Sequence, residues 1–177
     1  GDYGIWLSSS SSNTLQEITA NSNSWDGIHL YSSSSNTLQN ITANSNSDDG
    51  IYISSSSSNT LQNITANSNS NDGIHISYSS SNTLQNITAN SNFYAGIYIS
   101  SSSSNTLQNI TVKENRDFDI KFHASLPSHC NNLLQNVTGS GDRHIEYYNY
   151  SVNLENKIIA ELILCNASNS NITNITI

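Results

Sequence analysis

The chain has 177 residues, 34% of them hydrophobic and 10% charged, and 13 Asp and Glu against 5 Lys and Arg give a net charge of −8. That length suits one domain of ordinary size, and the acidic balance excludes the basic stripe with which nucleic-acid and anionic-membrane partners are met. No apolar run approaches the ~20 residues of a transmembrane helix, and no signal peptide opens the chain, which reads as a mature product or a fragment.

The Ser, Asn and Thr surplus resembles a disordered composition, but here Ile and Leu return in strict register. Five near-identical blocks run from Gly4 to Phe118, headed by Gly4, Gly27, Gly50, Gly73 and Gly96, each 23 positions after the last. A fixed period of this size marks a solenoid, in which each repeat buries its apolar face against its neighbours. Function is then to be read from a stacked surface rather than from one pocket.

Within the third block the apolar positions are Ile51, Ile53, Leu61, Ile64 and Ala66. Ile51/Ile53 and Ile64/Ala66 alternate with Tyr52 and Thr65, the period of two that strands require. The spacing from Leu61 to Ile64 breaks that alternation and predicts a corner near Asn63, and the Ser/Asn clusters at 54–59 and 67–71 predict the other bends. Three short strands and three bends make one rung of a parallel β-helix. Rungs stack about 4.8 Å apart, so each column becomes a ladder of like residues. Ile5 to Ile120, Leu15 to Leu107 and Ile18 to Ile110 form the inner ladders. The glycine column predicts either positive φ or close backbone approach. A leucine-rich or helical repeat lacks its pattern here.

After Phe118 the pattern loosens, which divides the chain into a regular array (1–118) and an irregular continuation (119–177). Asp119–Phe122 opens a sixth rung, and Leu134–Thr138 repeats Leu107–Thr111 after an insertion at about 125–132. Residues 139–160, with Tyr147, Tyr148 and Tyr150, read as a loop or hairpin, and Leu162–Leu164 with Ile172–Thr176 rebuild a last rung. The expected architecture is all-β, with about seven to eight rungs and an irregular C-terminal insertion. Cys130 and Cys165 are either two buried thiols or, outside the cell, a disulfide, and their spacing is no metal motif.

The blocks Gly-Ile-Tyr-Ile-Ser-Ser-Ser-Ser-Ser-Asn-Thr-Leu-Gln-Asn-Ile-Thr (50–65) resemble right-handed parallel β-helix repeats of the NosD-like, periplasmic copper-binding type. The Ser/Asn-rich version, with Leu-Gln-Asn-Val-Thr and Cys-Asn-Ala-Ser, is similar to cell-surface proteins of methanogenic archaea. The resemblance implies the fold and an extracellular or cell-surface setting. It brings no metal motif, and carbohydrate-processing enzymes share the fold.

Several columns are candidates for function. Trp6, His29, Tyr52, His75 and Tyr98, followed by Lys121, form one outward column that either stacks for structure or offers a platform to sugar rings. Copper or zinc held jointly by His29 and His75 is disfavoured, because they stand two rungs, ~10 Å, apart. Asp26, Asp49 and Asp72 form a second column, either a solvated acidic edge or an all-oxygen Ca²⁺ site, and no other cofactor is expected. Asp142, Arg143, His144 and Glu146 are neighbours in sequence within the insertion.

Nine Asn-x-Ser/Thr sequons occur; the column of Asn40, Asn63, Asn86 and Asn109 reads as a corner ladder of amides. Asn136, Asn149 and Asn166 are the glycosylation candidates. With no cluster of acid, base and cation in the regular blocks, the chain is expected not to be an enzyme. It reads as a structural or adhesive β-solenoid of a cell surface, sheath or filament, assembling head to tail with copies of itself. The alternative is a carbohydrate-binding or polysaccharide-cleaving β-helix domain whose partner is a surface polysaccharide.

Overall fold

A computed structural model describes residues 2–177; Gly1, the first residue of the expected regular array, lies outside them. The backbone answers the 23-residue period directly, because each coil donates its amides to the next. Ile51 N–H bonds to Gly73 O at 3.0 Å, Ala66 N–H to Thr88 O at 2.8 Å and Ser68 N–H to Asn90 O at 3.0 Å. Two strands form per turn. β1 (Ile5–Ser8), β3 (Ile28–Tyr31), β5 (Ile51–Ser54), β7 (Ile74–Ser77), β9 (Ala95–Ser100) and β11 (Phe118–His123) lie side by side in one parallel sheet. β2 (Thr14–Thr19), β4 (Thr37–Thr42), β6 (Thr60–Thr65), β8 (Thr83–Thr88), β10 (Thr106–Thr111) and β12 (Leu133–Thr138) make a second. The expected second and third strands, on either side of the corner at Asn63, are joined into one, since β6 runs through Asn63 at φ 56°. The expected bend after Ala66 is there, with Ser68 at φ 56°, and the rung-to-rung bonds continue through it.

Register follows the ladders, with Ile51 beside Ile74 and Leu61 beside Leu84. Ile28, Ile51, Ile74, Leu38, Leu61 and Leu84 are all 0% exposed. Each contributes about 1.5–3 kcal/mol of burial before entropy is subtracted. Leu61 and Ile64 both face the core because Asn63 between them takes φ 56°, which cancels the alternation of the strand. Ser55, Ser58, Asn63 and Ser68 all occupy the left-handed region, and the same four positions recur from the first rung to the fourth, with Glu17 in place of the asparagine in the first and Tyr78 in place of the first serine in the fourth. Asn and Ser suit these bends because short polar side chains bond locally to the backbone.

Two ladders of buried asparagine hold the bends together. Asn59 N–H and Nδ2 both donate to Asn82 Oδ1, at 2.8 and 3.2 Å, and Asn82 repeats this with Asn105. Asn46 N–H and Nδ2 donate to Asn69 Oδ1 at 2.9 and 3.0 Å, and Asn69 does the same with Asn92. The column of Asn40, Asn63, Asn86 and Asn109 forms a third ladder on the surface, with Asn63 Nδ2 on Asn40 Oδ1 at 3.0 Å. The glycine column has the second of its two expected causes. No block-heading glycine has positive φ, but a Cβ on Gly50 would stand 2.5 Å from Gly73 O and 2.8 Å from Asn69 Nδ2.

Six turns make up the two long sheets, and two shorter coils follow them. The segment 139–160 is neither loop nor hairpin but a further coil. It holds β13 (Ile145–Tyr148) and β14 (Asn153–Ile158), which pair in parallel with β15 (Glu161–Leu164) and β16 (Asn171–Thr176) and with no strand of the long sheets. The repeat there has shortened: Asn174 reaches back 18 residues to Asn156, where the regular rungs reach 23. The insertion before β12 is a short 3-10 segment, Pro127–Cys130, and Cys130 is joined to Cys165 by a disulfide with a Cα–Cα distance of 5.4 Å. Closing this 35-residue separation stabilises by about 3–4 kcal/mol in the chain-entropy account.

Glu161 carries the junction between the two stacks. Its Oε2 accepts the Ile120 N–H at 2.9 Å, an amide on the last strand of its sheet. Burial, aided by the charge of Asp119, pushes its carboxyl up from 4.5 to about 7. Because the folded value is the higher one, this group's contribution to stability is full below pH 4.5 and is lost as pH rises through about 7. Glu161→Gln keeps an acceptor for Ile120 and removes the titration. The variant should therefore gain on the wild type by on the order of 1–2 kcal/mol between pH 4.5 and pH 8, read from urea unfolding at both. Asn69→Ala leaves the buried Asn46 amide groups without an acceptor. It should cost about 2–3 kcal/mol and lower the melting temperature by roughly 5–10 °C, read by circular dichroism.

Candidate functional site

The outward column of the first sheet is an aromatic strip. His29 and Tyr52 meet edge to face with ring centres 4.8 Å apart, Tyr52 and His75 are tilted at 4.8 Å, and His75 and Tyr98 stack at 4.5 Å. Trp6, 60% exposed, joins through Tyr3, which contacts both Trp6 and His29. Lys121 closes the far end with its Nζ 4.3 Å from the Tyr94 ring centre and 5.1 Å from that of Tyr98. Sequence reasoning missed Tyr3, Trp25 and Tyr94. Trp25 and Tyr94 occupy the position just before the carboxylate column, where Asp48 and Asn71 stand in the intervening rungs, so no periodic signal marks them.

The carboxylates lie beneath the strip and are not a solvated edge: Asp26, Asp49 and Asp72 are only 3%, 3% and 1% exposed. One oxygen of each serves the next rung. Asp26 Oδ1 accepts the Asp49 N–H at 3.0 Å, Asp49 Oδ1 the Asp72 N–H at 2.9 Å, and Asp72 Oδ1 the Ala95 N–H at 2.9 Å. The second oxygen of each faces the imidazoles. His29 Nδ1 is 2.8 Å from Asp26 Oδ2, while His75 Nδ1 is 3.4 Å from Asp49 Oδ2 and 3.7 Å from Asp72 Oδ2. Burial, then the charge of Asp49, pushes the Asp72 carboxyl up to about 7, and burial raises Asp49 too. Asp48, on the surface above, is raised by partial burial and by Asp26.

Among the described residues two groupings could hold a cation, and neither is the expected Asp26, Asp49 and Asp72 set. They are Asp49, Asp72 and His75, and Asp26, Asp48 and Asp49. At the first end of the strip a cleft of about 300 Å³ is lined by Tyr3, Trp25, Asp26, His29, Asp48 and Tyr52. The sequence cluster in the insertion is dispersed: Asp142 pairs with Lys113, while Glu146 pairs with Lys157 and accepts the Tyr148 hydroxyl at 2.8 Å. Of the glycosylation candidates, Asn136 Nδ2 donates to Asn109 Oδ1 at 2.9 Å and Asn149 Nδ2 lies 3.4 Å from Asn131 Oδ1. Asn166 is exposed beside Cys165. No helix among the described residues is long and apolar enough to cross a membrane.

No curated protein matches the sequence. Among solved structures, the A-module of mannuronan C-5 epimerase AlgE6 from Azotobacter vinelandii superposes with a TM-score of 0.75 at 13% identity, over 98% of this chain and 54% of that one. The periplasmic alginate epimerase AlgG gives 0.68 at 18% identity, over 77% and 36%. Pectate lyase Pel9A gives 0.56 at 16% identity, over 91% and 48%. The chain thus spans about half or less of each of these structures, and at such identity the likeness establishes the fold alone. The expectation that the chain is not an enzyme is nevertheless corrected, because the structures it resembles are named as enzymes of polysaccharides. The family described as "Right handed beta helix region" matches residues 3–159, and the chain belongs to it.

Proposed function

We propose that the chain is a polysaccharide-binding and polysaccharide-modifying β-helix domain working outside the cytoplasm. The sugar chain lies along the strip from Tyr3 to Tyr98, and His29 with Asp26 supplies acid–base chemistry in the cleft. The observation that carries this reading is the 2.8 Å contact between His29 Nδ1 and the buried Asp26 Oδ2 at the floor of an aromatic-walled cleft. A carboxylate on Nδ1 fixes the imidazole orientation and leaves Nε2 to take or return a proton. Trp6 and Trp25, both more than half exposed at the first end of the strip, give sugar rings a flat apolar seat.

The neighbours' names support a polysaccharide substrate over the structural scaffold read from the sequence. In a uronate polymer the reaction open to this arrangement is removal of the proton on the carbon next to the carboxylate. Returning a proton to the opposite face inverts that carbon; expelling the oxygen two atoms away breaks the chain and leaves a double bond. The exposed Asp48 carboxylate and the net charge of −8 oppose a densely anionic chain at low salt, so a neutral polymer belongs in the same test. The Cys130–Cys165 disulfide and the resemblance of the blocks to surface-protein repeats both favour an extracellular or cell-surface location.

The test incubates the purified chain with mannuronan, pectate and a neutral glucan. Retention is read by affinity electrophoresis, and products are read as reducing ends, unsaturated uronate and inverted sugar by proton NMR. Turnover of one polymer is expected to fall by about 10²-fold or more in His29→Ala. Asp26→Asn keeps the acceptor for Asp49 N–H, so it should lose activity while retaining its melting temperature. Tyr52→Ala should weaken retention. Absence of both retention and product on every polymer, or full activity in His29→Ala, would overturn the proposal.

A further inference from the structure

The strip repeats its Asp-x-x-His spacing at Asp26/His29 and Asp72/His75, but the two pairs close differently. His75 Nδ1 stands between two carboxylates, at 3.4 Å from Asp49 Oδ2 and 3.7 Å from Asp72 Oδ2, longer than a charge-assisted hydrogen bond to either. Asp72 Oδ2 is fully buried and has no hydrogen-bond partner, although the Oδ1 of the same group bonds to Ala95 N–H at 2.9 Å. Asp49 likewise commits Oδ1 to the Asp72 N–H and turns Oδ2 toward the same point. The three free donor atoms lie within 4.8 Å of one another.

We infer that Asp49, Asp72 and His75 form a divalent-metal site of the zinc class, distinct from the His29–Asp26 cleft. Zinc takes carboxylate oxygen and imidazole nitrogen at about 2.0–2.1 Å, and a tetrahedron of such bonds has edges of roughly 3.3–3.4 Å. Separations of 3.4 and 3.7 Å approach that geometry with little side-chain movement. Calcium asks for about six to eight oxygens at longer range, which two carboxylates and one nitrogen do not supply. A divalent ion here gives the orphaned Asp72 oxygen a partner and cancels the repulsion of two buried anions. The His75 side chain is 19% exposed, against 4% and 1% for Asp49 and Asp72, so the ion's fourth position faces the strip and holds water.

The site is tested on the full chain, stripped with chelator and dialysed, then titrated separately with Co²⁺, Zn²⁺ and Ca²⁺. Bound metal is counted by elemental analysis, and cobalt is also read from its visible ligand-field bands. One Co²⁺ or Zn²⁺ per chain is expected. Affinity should fall by about 100-fold or more, at or above the loss seen for outer-shell partners, in both Asp72→Asn and His75→Tyr. Asn retains the acceptor for Ala95 N–H, and Tyr is the residue that this column already carries at Tyr52 and Tyr98, so both variants keep the ladder. His29→Tyr should bind metal as the wild type does. No metal retained by the wild type, preference for Ca²⁺, or undiminished Zn²⁺ affinity in His75→Tyr would overturn the inference. The readout is metal alone, so its failure is separate from any failure of the polysaccharide reading.

Discussion

Everything in this structure depends on one constraint: a buried backbone amide at a bend must find an acceptor on the neighbouring coil. Asn meets it twice over, since one carboxamide accepts from the coil on one side and donates to the coil on the other. Asn46, Asn69 and Asn92 do this along one corner and Asn59, Asn82 and Asn105 along another, all of them 2% exposed or less. Each such bond contributes only about 0.5–1.5 kcal/mol net, but an unpaired buried amide costs about 1–3 kcal/mol. The penalty sets the period. A slip of register would bring Asn opposite Ser or Ile and leave amides unpaired, and the one longer coil, from Asn105 to Asn132, keeps the pairing because its extra residues are taken up at Pro127–Cys130.

That constraint also accounts for a core built from so little hydrophobic surface. Each rung needs only a few Ile, Leu and Ala residues, because the coils above and below cover them. Gly50 and its equivalents then have a packing role: the backbone of the next coil and the corner asparagine occupy the space where a side chain would stand. Where the ladder loses its asparagines, after Asn132, the coil shortens and the C-terminal strands pair among themselves. The disulfide and the Glu161 bond to Ile120 N–H then hold the two stacks together.

The site grows out of the same stacking. Three consecutive rungs carry Asp in the buried column, but the outward column alternates His29, Tyr52, His75 and Tyr98. Asp49 therefore has a tyrosine, not an imidazole, at the position that serves Asp26 and Asp72. Its free oxygen turns to His75 of the next rung, which draws two carboxylates to one imidazole. His29, at the other side, faces Asp26 closely, at hydrogen-bonding distance. Two arrangements of different geometry thus arise from one repeated motif by a change of phase between two columns.

The period, the inner ladders and the corner at Asn63 were legible in the amino-acid sequence, because a stacked fold converts equal spacing into spatial contact. The aromatic strip and the aspartate column could be named for the same reason. The extra coil at 139–160 was obscured by its changed period, although Leu154-Glu-Asn156 echoes Leu-Gln-Asn and Asn156 has the same positive φ, 54°. Tyr3 and Trp25 carried no periodic signal and enter the cleft only through contact between rungs. Which carboxylate oxygen is free, which imidazole it meets, and that the aspartates are buried at all were decided by the tertiary structure alone. Spacing fixes which residues share a column, but depth and direction depend on how neighbouring columns pack.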